Sequence, residues 1–325
     1  MMPSPGPRKV DYLRISVTDL CNLRCVYCMP PEGVAKIAHQ EILTFEEILK
    51  VVKAAVVLGI RHFRLTGGDP LVRKGILDLV REMGRTAGIE DLTLTTNGLL
   101  LDRFAADLKK AGVKRLNVSL DSVNPETFRR ITRGGDLAAV LAGLRAAREA
   151  GFAAIKLNAV VLKGINDGEV FELLDYAREG GHPIRFIELM PISVTEVEGD
   201  NRYLPVSELR QRIEEKIPLE TEGTKPGCGP AEYFRSRDGR LLIGFIAPIS
   251  RAFCLRCNRV RLTAEGKLRP CLSSDWELDL RAVVRGGGGE EKIRELLSRA
   301  IAGKPAAHRF GEKGVSRRKM VSIGG

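Results

Sequence analysis

The stretch Cys21-Asn-Leu-Arg-Cys25-Val-Tyr-Cys28 places three thiols on one tight loop, with gaps of three residues and then two. A four-iron cluster is held by four ligands, so a loop of three cysteines leaves one iron open to a small molecule. Structural zinc sites usually pair two short Cys-x-x-Cys units, which this spacing does not provide. The stretch therefore predicts an iron–sulfur cluster with a chemical role, and zinc is the minor alternative.

The chain around this loop alternates between short β-branched segments and longer helical ones, from Asp11 to about Met190. Such alternation predicts a parallel sheet with right-handed crossovers, and six units are fewer than the eight of a closed barrel. We expect an α/β fold in the form of an open, three-quarter parallel (βα)6 barrel over residues 11–190. An extension over residues 1–10 precedes it and a C-terminal region over 191–325 follows it. The predicted strands are Tyr12–Val17, His62–Leu65, Leu92–Thr95, Arg115–Ser119, Ile155–Val161 and Ile184–Leu189, and the predicted helices are Phe45–Leu58, Gly75–Thr86, Leu101–Ala111, Leu137–Ala150 and Glu169–Glu179.

Polar and glycine-rich motifs come directly after several of the predicted strands. Thr66-Gly-Gly-Asp-Pro70 follows the second strand and Thr95-Thr-Asn-Gly98 follows the third, while Ser119-Leu-Asp121 and Met190 close the fourth and the sixth. The carboxyl ends of strands build the active site of parallel barrels. We therefore expect these motifs and the first cysteine loop to lie on one rim.

A second set of cysteines consists of Cys254, Cys257 and Cys271. It again offers three ligands with no obvious fourth, although Cys228 could supply one, and on spacing alone a cluster and a zinc ion are equally compatible. Arg259 and Arg261 follow with a period of two, so on an extended segment both point to one face. Arginine forks suit phosphates and carboxylates, but paired arginines are also common on surface strands.

The composition favours a cytoplasmic protein with an anionic partner. The net charge is +11, no secretory signal or long apolar run is visible, and seven cysteines suit a reducing compartment. We expect no membrane association. The basic stretch from Arg299 to Lys319 contains one aromatic residue, Phe310, which is too few for a base-stacking platform, so we expect no nucleic-acid partner.

Taken together, the two cysteine sets in this order resemble the GTP 3′,8-cyclase family of molybdenum cofactor biosynthesis, within the radical S-adenosylmethionine (SAM) superfamily. The likeness covers nearly the whole chain, and the matching segments are Leu13-Arg-Ile-Ser-Val-Thr-Asp19, Lys163-Gly-Ile-Asn-Asp167, Arg185-Phe-Ile-Glu-Leu-Met190 and the terminal Gly324-Gly325. It implies two [4Fe-4S] clusters, the first binding SAM and yielding a 5′-deoxyadenosyl radical. That radical takes a hydrogen from the ribose of GTP, which closes to 3′,8-cyclo-7,8-dihydro-GTP while the second cluster holds the purine.

The resemblance also implies roles for individual residues. The first cluster would be held by Cys21, Cys25 and Cys28, and the second by Cys254, Cys257 and Cys271. The SAM site would be lined by Tyr27, Gly67, Gly68, Ser119 and Met190. The GTP site would contain Thr95 and six cations, namely Arg14, Arg64, Lys156, Arg185, Arg259 and Arg261. The catalytic group would be Arg14 together with Gly324 and Gly325, whose tail enters the active site.

Each of these positions also has an ordinary interpretation. Met190 could be core packing, Thr95 could simply end its strand, any one strand cation could face solvent, and Gly324-Gly325 could be a mere tail. The chain also departs from the family pattern at three positions. Asp69 replaces the usual glutamate, so a contact with the SAM amino group would need a loop shift or a water. His62 stands where lysine is frequent, and Cys228 has no counterpart and is interpreted as a bystander thiol.

The resemblance implies partners as well: GTP, an electron donor of unknown identity, and a downstream cyclic pyranopterin monophosphate synthase. It is also compatible with a homodimer. Two alternative functions are a radical SAM enzyme that modifies a peptide or protein, and a non-catalytic zinc protein that binds nucleic acid through its net charge of +11.

Overall fold

The computed structural model describes residues 8–192, 201–224, 227–308, 310 and 318–324. Twelve strands in these ranges form one sheet in the order β12-β11-β10-β1-β2-β3-β4-β5-β6-β9-β8-β7. The strands are β1 Tyr12–Ser16, β2 His62–Thr66, β3 Asp91–Thr96, β4 Arg115–Ser119, β5 Ile155–Val160, β6 Ile184–Ile187, β7 Leu219–Thr221, β8 Glu232–Ser236, β9 Leu242–Ile246, β10 Arg259–Leu262, β11 Lys267–Arg269 and β12 Leu278–Asp279.

The six central strands, β1 to β6, pair in parallel with their neighbours in chain order. All six predicted strands are thus confirmed, with ends that differ by at most two residues. The helices that connect and cover the strands are α1 Phe45–Val57, α2 Ile76–Arg85, α3 Leu101–Lys110, α4 Pro125–Thr132, α5 Leu137–Glu149, α6 Val170–Gly180, α7 Val206–Glu214, α8 Leu280–Arg285 and α9 Gly289–Ala302. The five predicted helices correspond to α1, α2, α3, α5 and α6.

Local capping explains where two of these helices begin. Thr44 and Glu47 form a reciprocal capping box at α1, with Glu47 N donating to Thr44 Oγ1 over 3.2 Å and Thr44 N donating to Glu47 Oε2 over 2.8 Å. Helix α4 was not predicted, although its start carries a recognisable signal. The Asn124 side chain accepts hydrogen bonds from the backbone of the first turn, and Pro125 occupies the first helical position.

The C-terminal part of the chain extends both edges of the central sheet, which the sequence did not predict. Strand β10 pairs in parallel with β1, and β9 pairs in parallel with β6. Antiparallel strands follow outward on each side, and β12 and β7 are the two ends of the order. The sheet is therefore mainly parallel and not closed.

The period-two alternation of strand side chains separates the hydrophobic core from a polar interior. In β1, Leu13 and Ile15 are fully buried in the core, whereas the intervening Arg14 lines a cavity on the other face. In β2, Phe63 and Leu65 pack in the core while Arg64 lines the same cavity. The strands thus hold a row of cations on one face and pack against helices with the other. None of the described helices is long and apolar enough to cross a membrane.

Candidate active site

A cavity of about 290 Å³ runs along the inner face of the sheet, and both cysteine sets line it. The first set follows the carboxyl end of β1. The second set borders the start of β10, where Arg259 pairs in register with Tyr12 at the start of β1. Because β1 and β10 are parallel, the two sets lie toward opposite ends of the strands and face one another through the cavity.

The three cysteines of the first set lie close together and are partly buried. Cys28 N donates to the carbonyl of Cys25 over 2.9 Å, and Asn97 Nδ2 lies 3.7 Å from the thiol of Cys21. Burial, together with the neighbouring Cys21 and Asp121, raises the pKa of Cys28 to about 12. Three partly buried thiols so close together are costly to ionise unless a cation is bound between them. The donor set therefore fits a metal cluster.

Tyr27 is held in place by a buried carboxylate that the sequence analysis quoted only as the end of a motif. Its hydroxyl donates to Asp121 Oδ2 over 2.7 Å, and Val160 N donates to Asp121 Oδ1 over 2.8 Å. Burial raises the pKa of Asp121 to about 6. The side chains of Tyr27, Asp121, Ser119 and Met190 all line the cavity.

Gly67 and Gly68 also line the cavity, but packing supplies a further reason for their lack of side chains. A Cβ on Gly67 would lie 2.6 Å from the carbonyl oxygen of Thr18, and one on Gly68 would collide with the backbone of Leu20. Gly68 N donates to Thr18 O over 2.8 Å. The glycines therefore let the loop after β2 pack directly against the segment that leads into Cys21.

Asp69, in place of the glutamate usual in the family, is not among the residues that line the cavity. Its Oδ2 accepts from the Thr96 hydroxyl and from Asn97 N, both over 2.7 Å, and its Oδ1 accepts from Leu71 N over 2.9 Å. Only 1% of the residue is exposed. The shorter carboxylate joins the loops that follow β2 and β3.

Five of the six predicted cations line the cavity: Arg14, Arg64, Arg185, Arg259 and Arg261. The sixth, Lys156, is buried on the neighbouring part of β5 and does not line the cavity. Burial and the charges of Arg185, Arg115 and Arg64 lower the pKa of Lys156 to about 7. Burial and the adjacent Arg259 lower the pKa of Arg261 to about 10. Such a concentration of like charge is relieved by a multiply charged anion.

The C-terminal tail enters the same cavity, where Met320 and Val321 are among its lining residues. The carbonyl oxygen of Gly324 accepts from Arg261 Nη1 over 2.7 Å and from Arg14 Nη1 over 3.2 Å. Gly324 has a φ of +69°, and a Cβ there would lie 2.8 Å from Thr66 Cγ2. Glycine is thus required at this position for conformational and for steric reasons. Gly325 lies outside the described residues.

The second cysteine set is surrounded by donors that the sequence analysis did not assign to it. Lys304 Nζ donates to the carbonyls of Arg259 and Pro270 over 2.7 and 2.8 Å. Against the effect of burial, Arg259 and Lys304 lower the pKa of Cys257 to about 6. His308 N donates to the thiol of Cys254 over 3.2 Å. The sequence signal for Lys304 was its place in the basic stretch from Arg299 to Lys319.

Two predicted residues have positions that the sequence did not anticipate. Cys228 is not among the residues that line the cavity, and lies instead beside His62 and Asp91, so it is not the fourth ligand of the second set. Thr95 lines the cavity, and its buried hydroxyl has no hydrogen-bond partner within the described part of the chain. That hydroxyl is available to a ligand.

Glu188 is a further buried residue that the sequence analysis quoted but did not interpret. It lines the cavity just beyond β6, and its carboxylate accepts from the backbone amides of Val206, Ile249 and Ser250, each over 3.0 Å. These contacts fasten two C-terminal segments to the end of the central sheet. In the sequence, Glu188 could have been recognised as a single carboxylate among the apolar residues at the end of the sixth predicted strand.

Comparison with known proteins agrees with this architecture. A family model described as the radical SAM superfamily matches residues 15–177, and one described as Molybdenum Cofactor Synthesis C matches residues 182–310. Among solved structures, Streptococcus suis SuiB bound to its precursor peptide SuiA has a TM-score of 0.63 at 15% identity, covering 88% of this chain and 67% of that one. The structure titled native anSMEcpe with bound AdoMet has a TM-score of 0.63 at 16% identity, covering 92% and 82%. These two likenesses concern the fold.

The fold and the first cysteine loop define a radical SAM enzyme, a class that uses SAM and a [4Fe-4S] cluster. Curated relatives identify the family within this class. The GTP 3′,8-cyclase of Pelotomaculum thermopropionicum is 49% identical over 319 residues, and that of Moorella thermoacetica is 46% identical over 318, each match covering 98% of both chains. The chain therefore belongs to the GTP 3′,8-cyclase family of molybdenum cofactor biosynthesis. The alternative of a non-catalytic zinc protein was wrong.

Proposed function

We propose that this enzyme cyclises GTP to 3′,8-cyclo-7,8-dihydro-GTP, the first step of molybdopterin biosynthesis. The observation that carries the proposal is the single cavity, in which two sets of three thiols and five arginines face the same space. The name shared by the curated relatives identifies the nucleotide. The arginines supply the physical reason for it, because a triphosphate is an anion that several guanidinium groups can hold together.

Cys21, Cys25 and Cys28 would hold the first cluster at the carboxyl end of β1. A cluster and SAM bound there would supply, with one electron from a donor, the radical chemistry that removes a hydrogen from the ribose of GTP. The chain itself orients the reactants and excludes water. Tyr27, braced by Asp121, and Ser119 and Met190 would border SAM, while Gly67 and Gly68 would offer it backbone groups.

At the other end of the cavity, Cys254, Cys257 and Cys271 would hold a second [4Fe-4S] cluster. The cations around them support a thiolate-rich site, since Arg259 and Lys304 stabilise the ionised form of Cys257. The purine would lie against this end, with the Thr95 hydroxyl as a hydrogen-bonding partner for the nucleotide. Arg14, Arg64, Arg185, Arg259 and Arg261 would surround its phosphates, and the buried Lys156 would add its charge from β5 without lining the cavity.

The tail would complete the catalytic group. Gly324 reaches Arg14 and Arg261 through its carbonyl oxygen, which supports the inference that Gly324 and Gly325 act beside the nucleotide. Both arginines would then hold the tail and the substrate together. Arg14 in particular contacts the tail from the strand that leads to the first cluster.

Three broader features belong to the same proposal. The central strands would curve into a three-quarter (βα)6 barrel over residues 11–190, with residues 191–325 as the region of the second cluster and the tail, and residues 1–10 as an extension. The enzyme would work in the cytoplasm, where its thiols stay reduced. It would take electrons from an unidentified donor and pass its product to a cyclic pyranopterin monophosphate synthase, and a homodimer is compatible with this function.

The test is an anaerobic incubation of the reconstituted protein with SAM, GTP and a strong reductant, followed by analysis of the nucleotides. We expect 5′-deoxyadenosine and cyclised GTP in equal amounts, and neither without reductant. Iron and sulfide analysis of the same sample should give about eight of each per chain for two clusters. Cleavage of SAM with GTP left intact would contradict the proposed substrate, and about four irons would contradict the second cluster.

A further inference from the structure

We propose that His62, Asp91 and Cys228 form a binding site for one zinc ion, separate from both cysteine sets. A ring nitrogen of His62, a carboxylate oxygen of Asp91 and the thiol of Cys228 all lie within 4.8 Å of one another. None of these three residues lines the cavity that the proposed reaction uses. Under this proposal Cys228 is a metal ligand and not a bystander thiol.

The fold brings the three residues together from distant parts of the chain. His62 and Asp91 are the first residues of β2 and β3 and are paired in register, so their side chains emerge on the same side of the sheet. Cys228 comes from the connection between β7 and β8. The preceding Gly227, at a φ of +104°, packs so closely on Arg115 that a Cβ there would collide with the guanidinium group. Arg115 therefore lies against the backbone next to Cys228 and also pairs with Asp91.

A carboxylate lies near each ring nitrogen of His62. The Nε2 nitrogen lies 3.9 Å from Asp11 Oδ2, and Asp11 is itself fixed by a hydrogen bond of 2.7 Å from Asn258 Nδ2. The other ring nitrogen of His62, Nδ1, lies 4.0 Å from Asp91 Oδ2. This nitrogen is buried and has no hydrogen-bond partner among the residues described. A carboxylate is a usual outer partner for the far nitrogen of a ligating histidine in zinc sites, and Asp11 would need to approach His62 by about 1 Å to make that hydrogen bond. Nδ1 is therefore the nitrogen available to the ion.

One nitrogen, one oxygen and one sulfur donor favour zinc over the hard cations. Zinc binds all three at about 2.0–2.3 Å in a tetrahedron, which needs donor atoms ~3.3–3.8 Å apart and so a modest closing of these side chains. Arg115 pairs with both oxygens of Asp91, which orients the carboxylate and adds a positive charge close by. Mg²⁺ and Ca²⁺, which require several oxygen ligands, should not bind. The fourth position of the tetrahedron is left to water or a small ligand.

The experiment uses the full-length protein with both cysteine sets already loaded with iron and sulfide, so that zinc cannot enter them. Zn²⁺ is titrated anaerobically in competition with a chromophoric chelator, and iron content is measured before and after. We expect one zinc per chain with no loss of iron. Zinc-edge X-ray absorption should show one sulfur near 2.3 Å and the remaining ligands near 2.0 Å. No retained zinc, or two or more sulfur ligands, would overturn the proposal.

Variants locate the ion within the chain. Cys228→Ser and His62→Gln should each weaken zinc binding at least 100-fold, while iron, sulfide and circular dichroism stay as in the wild type. His39→Gln, at an exposed histidine, is the matched control and should bind zinc normally. Wild-type affinity in both ligand variants would contradict the assignment. Because the zinc measurement needs neither GTP nor turnover, its outcome is distinguishable from failure of the cyclase proposal.

Discussion

Arg261 donates a hydrogen bond of 2.7 Å to the carbonyl oxygen of Gly324, which fastens the tail to strand β10. Arg14 donates to the same oxygen over 3.2 Å. Both arginines are buried. Burial is the main cause that lowers the pKa of each, and the charge of a neighbouring arginine is the second. The tail carbonyl thus partly compensates two crowded cations. GTP and the tail would both contact Arg14 and Arg261. A substitution that displaces the tail should therefore also alter GTP binding.

Gly324→Ala should sharply reduce cyclisation while leaving the protein folded. The new Cβ would meet Thr66 Cγ2 at 2.8 Å, and the left-handed backbone costs a non-glycine residue ~1 kcal/mol. The tail should therefore leave its place on Arg14 and Arg261. Product formation and thermal unfolding are measured together, with Gly223→Ala as the control because a Cβ there has open space. Equal activity in both variants would show that the tail is passive.

Arg259→Ala combined with Arg261→Ala should weaken GTP binding while SAM cleavage largely persists. Each charge-assisted hydrogen bond is worth ~1.5–3 kcal/mol, so the double variant should lose roughly 10²-fold or more in affinity. The first cysteine set lies toward the other end of the cavity, so SAM should bind as before. Calorimetric titration with GTP and a 5′-deoxyadenosine assay test the two parts. Unchanged GTP affinity would remove these arginines from the site.

GTP binding at pH 8 should take up close to one proton, through Lys156. Burial and the charges of Arg185, Arg115 and Arg64 lower the pKa of this side chain to about 7, so it is mostly neutral at pH 8 in the free enzyme. An arriving triphosphate favours the charged form. GTP affinity should therefore fall as pH rises above about 7, and proton uptake should vanish below pH 6, where the amine is already charged.

Calorimetry in buffers of different ionisation enthalpy measures this proton directly. Lys156→Met should abolish the uptake and weaken binding, and Lys156→Arg should abolish the uptake but keep the charge. Lys156 also predicts a stability effect without GTP. Lys156 has a pKa of about 7 in the folded chain and an ordinary pKa of 10.5. Between these two pH values the unfolded chain holds a proton that the folded chain has lost, so the free energy of unfolding should rise with pH. Proton uptake that persists in Lys156→Met would assign it to another group.

The sequence predicted those parts of the fold that local signals encode. Alternating strands and helices gave β1 to β6 and their main helices, because each unit carries its own hydrophobic period and caps. The pairing of β10 with β1 and of β9 with β6 was missed, since such contacts depend on the whole sheet and leave no local pattern. Five of the six cations that the resemblance placed around GTP line one cavity. Arg14, Arg64 and Arg261 among them share a face because they are paired in register on neighbouring parallel strands.

Errors arose where a side chain's partner lies far away in the chain. Cys228 was considered for the second set because both are cysteines, yet its loop packs against His62 and Asp91. Lys304 was given no role of its own within the basic stretch, yet its ammonium group donates to the carbonyls of Arg259 and Pro270. Neither contact follows from spacing, because each depends on how a loop returns to the sheet.

Asp69→Glu, which restores the residue usual in the family, should destabilise this enzyme and leave SAM affinity no better. The carboxylate is 1% exposed and accepts three hydrogen bonds of 2.7–2.9 Å, from Thr96, Asn97 and Leu71. An added methylene in so filled a space typically costs ~1–3 kcal/mol. Asp69→Ala is the comparison variant and should be less stable still, because it leaves those donors without their acceptor. Denaturant unfolding and SAM titration of the anaerobic holoprotein measure both quantities. Tighter SAM binding in Asp69→Glu at unchanged stability would mean that this position faces the cofactor and does not join the two loops.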